Sequence, residues 1–133
     1  MLEIRDARGR IREDLSEEAL SLGIRNADRD LVIGSLNEMV LRRTDGAGAE
    51  LIFHRAKDGR YMITHVDADG LGRTAVADGD PEETVKIGIG GEFEDWPGDH
   101  FIEPYLAVAV AERFMLDGGL DPTVEWRPST AHL

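Results

Sequence analysis

The chain has 133 residues, with 15 basic and 27 acidic side chains for a formal charge of −12 at pH 7, and it contains no cysteine. Without cysteine there is no disulfide framework, thiolate metal cage or Cys nucleophile, which excludes small disulfide scaffolds, zinc fingers and papain-like chemistry. The negative balance argues against nucleic acid as a partner, because phosphates are repelled, and favours either plain solubility or a basic partner.

A chain of this length buries roughly two thirds of the surface its unfolded form exposes, enough for one core, so a single domain over residues 1–133 is expected. The opening Met-Leu-Glu-Ile-Arg-Asp carries charges where a signal peptide needs an apolar run. No stretch approaches the roughly 20 apolar residues of a membrane span. The expectation is a cytoplasmic protein, away from the membrane and monomeric.

In chain order, residues 11–43 read as a helical N-terminal part. Ile11, Leu15, Ala19 and Leu22 lie on one helical stripe stopped by Gly23, although the first 25 residues are also compatible with extended chain. Asn26 or Asp28 can cap a second helix with Leu31, Val32, Leu36, Met39 and Val40 on its apolar face and Arg42 and Arg43 at its C-terminal end. An antiparallel meander follows over residues 50–91. Its first two strands, 50–55 and 61–66, flank Lys57-Asp58-Gly59-Arg60, and Asp-Gly is a strong hairpin signal. With Asp58 and Gly59 as the two turn residues, Leu51, Phe53, Met62 and Val66 share the core face. Ile52, His54, Tyr61, Ile63 and His65 then share the other.

Further strands are expected at 73–77 and 84–89. Pro104 suits the first turn of a central packing helix over 103–118, which is apolar nearly all round and ends at Gly118-Gly119. Residues 123–127 alternate as a last strand. The fold class is α+β, a mostly antiparallel sheet of about five strands with helices packed on one face.

Few residues point to catalysis. Asp67-Ala68-Asp69-Gly70 resembles the start of a calcium loop, but Leu71 stands where an oxygen ligand is required, and an acidic turn accounts for it. Gly88-Ile89-Gly90-Gly91 lacks the Lys-Ser/Thr of a phosphate loop. None of Ser16, Ser21, Ser35 and Ser129 lies in a nucleophile elbow. The face carrying His54, Tyr61 and His65 supports an alternative reading, a metal- or small-ligand protein or enzyme, with no third metal ligand evident. Otherwise the chain is expected to be no enzyme and to need no cofactor.

The segment Glu92-Phe93-Glu94-Asp95-Trp96-Pro97-Gly98-Asp99-His100-Phe101 concentrates carboxylates around aromatics. Glu92, Glu94, Asp95, Trp96 and Asp99 are candidate contacts to a basic protein, with the loop Asp78, Asp80, Glu82 and Glu83 as a second patch. The competing reading is that Phe93, Trp96 and Phe101 plug the core and the charges are only solvated.

Several residues here form a recognisable pattern: Gly90-Gly91, Trp96-Pro97, Ile102 and Pro104 opening an Ala-rich helix to Phe114, then Gly118, Pro122 and Val124-Glu125-Trp126. The last 50 or so residues resemble the closing motif of the immunity protein 1 family of bacterial polymorphic and contact-dependent toxin systems. The resemblance implies a small protein that binds and blocks a cognate toxin domain, often a nucleic-acid deaminase or nuclease. It implies no particular contact residues, since the toxin-facing surface of such proteins varies with the toxin.

Overall fold

The computed structural model describes residues 2–5, 11–13, 38–43, 48–77, 79–89 and 92–128. Strands β1 (Leu2–Arg5), β2 (Ile11–Glu13), β3 (Met39–Arg43), β4 (Glu50–Arg55), β5 (Tyr61–Val66) and β6 (Gly72–Val76) come first. Next are β7 (Thr84–Ile89), β8 (Glu92–Pro97), a 3-10 turn (Gly98–His100), α1 (Pro104–Asp117) and β9 (Glu125–Pro128). Among the described residues the main sheet has seven strands, all antiparallel, in the order β2-β1-β3-β4-β5-β6-β9, and β7 and β8 form a separate two-stranded ribbon. The α+β class with a mostly antiparallel sheet therefore holds.

The N-terminal expectation is corrected at both ends. Ile11–Glu13 is a strand pairing with β1, and Met39–Arg43, expected to close a helix, is a strand between β1 and β4. Residues 14–37 of the two expected helices lie outside the described residues. The reason is burial on both sides: Met39 and Leu41 face the main core while Val40, also buried, faces the other way. A short apolar run buried on both faces loses the alternation that marks a strand. Arg42 stands opposite Glu3 and Glu50 in register, and Arg43 Nη1 donates to the Met115 carbonyl at 2.9 Å. Arg43 thus complements a helix C-terminus, but that of α1 and not its own.

The β4–β5 hairpin has the expected strands with a different turn. Arg55 pairs with Tyr61, leaving a five-residue loop, Ala56–Arg60. Ala56 N–H donates to the Arg60 carbonyl at 2.9 Å, Arg60 N–H to Asp58 Oδ1 at 3.0 Å, and Gly59 takes φ 91°. Compared with a two-residue turn, the register shifts by one and the second strand swaps faces. Leu51 and Phe53 join Tyr61, Ile63 and His65 beneath α1, whereas His54 joins Met62 on the opposite face. The expected grouping of His54 with Tyr61 and His65 is therefore wrong.

The meander expected over 50–91 ends at β6, because the outer edge of β6 is taken by β9 and not by β7. Helix α1 has Pro104 in its first turn and ends at Gly118, whose N–H donates to the Phe114 carbonyl at 2.7 Å with φ 76°. Ala107, Val110, Ala111 and Phe114 make a single buried stripe, while Tyr105 and Leu116 are exposed, so the helix packs on one side only. Its stripe meets Met39, Leu41, Leu51, Phe53, Ile63 and Ala75 in the main core. A second, smaller core lies under the ribbon, formed by Ala56, Met62, Ile87 and Phe101 with Val85 and Trp96 packed against it.

Candidate functional site

The ribbon carries the residues singled out by charge, and its own pattern explains how it forms. Val85, Ile87 and Trp96 point to one side and close the second core, with Val85 opposite Trp96 in register. On the outer side Phe93 stands opposite Gly88, and a Cβ at Gly88 would lie 3.4 Å from the Phe93 ring. Residues 92–97 form a strand, and the Gly90-Gly91 pair between two period-two runs is the sequence signal for it.

The aromatics divide by role. Phe101 is buried and Trp96 is half-buried, its ring tilted over His100 at 6.0 Å and its Nε1 donating to Glu94 Oε2 at 3.2 Å. Both plug the small core. Phe93 is 67% exposed and is the aromatic free to meet a partner.

The acidic turn Asp80–Glu83 is held beside the base of the ribbon that carries Glu92, Glu94 and Asp95. Gly98 N–H donates to the Glu83 carbonyl at 2.8 Å, which lays the Asp80–Glu83 turn beside the end of β8. The approach is so close that a Cβ on Gly98 would sit 2.7 Å from the Asp80 carbonyl oxygen, and one on Gly79 would sit 2.6 Å from that of Gly98. Asp80, Glu82, Glu83, Glu92, Glu94 and Asp95 are all exposed. Asp80 Oδ1 accepts from Glu82 N–H at 2.9 Å, ordering the turn. Glu83 accepts from Arg60 Nη2 at 2.8 Å, and Lys86 lies 3.8 Å from Asp95. Hydrogen bonds from Arg60 to Asp58 and to Glu83 raise the already high pKa of its guanidinium, so this tie between the ribbon and the β4–β5 loop stays charged. Asp78 lies outside the described residues.

Asp99 plays a different part from the other carboxylates. It is buried, accepting from His100 Nδ1 at 2.8 Å and from Arg127 Nη1 at 3.0 Å, while its backbone carbonyl accepts from Ala77 N–H. Burial pushes its pKa up, but the His100 and Arg127 hydrogen bonds and charges outweigh that and hold it below the ordinary carboxylate value. Asp99 clamps the ribbon base to β6 and β9 and is not presented to a partner. Arg127, which sequence reasoning passed over, completes the clamp. A cavity of about 420 Å³ adjoins it, lined among others by Val76, Pro81, Leu106, Val124 and Glu125. Arg127 already answers both carboxylates there, Asp99 at 3.0 Å and Glu125 at 3.4 Å.

The His54, Tyr61, His65 constellation is not assembled. His65 is buried with its ring edge-on to Phe114 and Trp126, and its Nε2–H donates to the Gly118 carbonyl at 2.9 Å. That bond ties β5 to the end of α1. His54 opens to the other side of the sheet, its Nε2 3.8 Å from Glu38. Among the described residues no group of three or more His, Asp or Glu is placed to hold a metal ion, and no helix is long and apolar enough to cross a membrane.

No family model, curated protein or solved structure matches the chain.

Proposed function

We propose that this chain is an immunity-type inhibitor, which binds a cognate bacterial toxin domain and blocks it by covering a basic substrate cleft. The carrying observation is the ribbon surface. Between residues 79 and 97 six carboxylates are set against one lysine, Lys86, and all six are exposed, with Asp95 on the same ribbon face as the exposed ring of Phe93 and Glu92 and Glu94 on the other. A toxin that acts on nucleic acid, as a deaminase or nuclease does, needs cations in its cleft to attract phosphate, and an acidic ribbon competes for those cations. Complementary charge speeds encounter, and a desolvated aromatic slows release, which makes Phe93 the natural anchor. The resemblance of the last 50 or so residues to the immunity protein 1 family supports the same reading. In this reading the protein acts by occupancy, in the cytoplasm, with no catalysis and no cofactor.

The test is co-expression with the toxin domain encoded beside this chain, scoring growth and co-purification. Rescue of growth together with a stable complex is the expected result. Continued toxicity with both proteins folded and no complex would refute the proposal.

A further inference from the structure

The backbone of β8 provides a mode of binding for that surface. In an antiparallel ladder directly opposed residues alternate between pairs that exchange hydrogen bonds and pairs that do not. The Gly98 N–H to Glu83 carbonyl bond sets the phase, because Glu83 and Gly98 continue the register that runs from Thr84 opposite Pro97 to Ile89 opposite Glu92. Counting inward, Val85–Trp96, Ile87–Glu94 and Ile89–Glu92 are the bonded pairs. Lys86–Asp95 and Gly88–Phe93 are not, nor is Thr84–Pro97, where Pro97 has no N–H to give. The N–H and C=O groups of Phe93 and Asp95 therefore point away from β7. Among the described residues no strand lies on that side, since the ribbon has two strands only, and Glu92–Asp95 are all exposed.

We infer that the outer edge of β8 takes up a β-strand from a basic protein partner, turning the ribbon into a three-stranded sheet. The inference rests on the reading of the ribbon as the partner surface. Main-chain bonds to Phe93 and Asp95 hold the added strand, and its side chains fall beside Glu92 and Glu94 on one face and beside Phe93 and Asp95 on the other. The fitting strand is rich in Lys or Arg with an apolar residue beside Phe93. A second copy of this chain fits poorly, because pairing β8 with itself sets Glu92, Glu94 and Asp95 against the same three carboxylates, and like charges across strands repel. The carboxylates thus guard an open edge against self-association while leaving it available to a cationic strand.

The test uses a capped peptide of about eight alternating Lys and Val residues, ordinary strand length. On saturation the Phe93 and Asp95 amides should exchange with solvent about tenfold more slowly, as new hydrogen bonds require. Two variants separate backbone from charge. D95P and D95N remove the same carboxylate, but only D95P removes the outward N–H, at a position where the ribbon itself needs none. D95P should bind the peptide about tenfold more weakly than D95N, the effect of about one lost hydrogen bond.

Equal binding by D95P and D95N, with unchanged Phe93 and Asp95 exchange, overturns strand addition. If the triple reversal E92K/E94K/D95K still weakens the peptide in that case, the acidic-surface reading survives alone; if it does not, both fall. Protection of the same amides that grows with protein concentration and without peptide would show self-pairing and overturn the basic occupant.

Discussion

The main sheet and the ribbon use the same period-two pattern, yet they differ in what lies on each side. Around β3–β6 both faces of the sheet are filled, one by the stripe of α1 and the other by the residues around Met62, so each inward position is held by shape. The ribbon packs one thin face, Val85, Ile87 and Trp96, against the second core and exposes Thr84, Lys86 and Glu92–Asp95. Burial specifies the first region and leaves its surface little freedom. The second is tied down at its base by Gly98, Asp99 and Arg60, and among the described residues no strand covers the outer edge of β8.

The contrast is sharpest between two phenylalanines. Phe114→Ala, at 0% exposure beneath His65, should cost about 3–5 kcal/mol, because it leaves a cavity the core cannot close. Phe93→Ala should change stability by no more than about 0.5 kcal/mol, as for an exposed side chain, and weaken partner binding instead. Urea unfolding of both variants checks the pair. Similar losses would mean the ribbon is as much core as the sheet.

Gly118→Ala comes next, at about 1–2 kcal/mol, since a side chain at φ 76° is strained and its Cβ would sit 2.7 Å from Arg43 Cδ. Arg43 would then have to release the Met115 carbonyl, a loss visible as faster amide exchange in the last turn of α1.

Asp99→Asn should cost about 1 kcal/mol at pH 7 by weakening the bonds to His100 and Arg127. The folded pKa of Asp99 is depressed, so its contribution is fully present above the unfolded value of about 4 and is lost as pH falls through the lower folded value. Unfolding midpoints of the wild type and D99N should therefore differ at pH 7 and converge once the pH has fallen below the depressed folded value. A gap that persists in acid would show that the loss comes from packing and not from the charge.

How much of this was legible in the sequence follows from the same contrast. The strands 50–55 and 61–66 and the helix from Pro104 could be read almost to the residue, because their apolar spacing is what the core demands. The hairpin register could not. Asp58-Gly59 is compatible with a two-residue turn, and it is the Asp58 carboxylate bonded to Arg60 that stabilises the longer loop and so separates His54 from His65. Met39–Arg43 hid its strand by being buried on both sides. β8 hid behind its acidity, because strand preference reflects fit to a half-buried surface and its carboxylates read as loop. The carboxylates are plain in the sequence, but their burial is not: Asp99 is buried, and Phe93, exposed on the ribbon, was not separated from the plugs Trp96 and Phe101.

The central claim is that the ribbon surface meets a basic partner. It is tested most directly by the association rate with the proposed basic partner, for the wild type and for E92K/E94K/D95K, across a range of ionic strength. The account predicts an association rate at least about tenfold lower for the variant at low salt, a flatter salt dependence, and an unfolding midpoint close to wild type. Identical rates and salt slopes for the two folded proteins would contradict it.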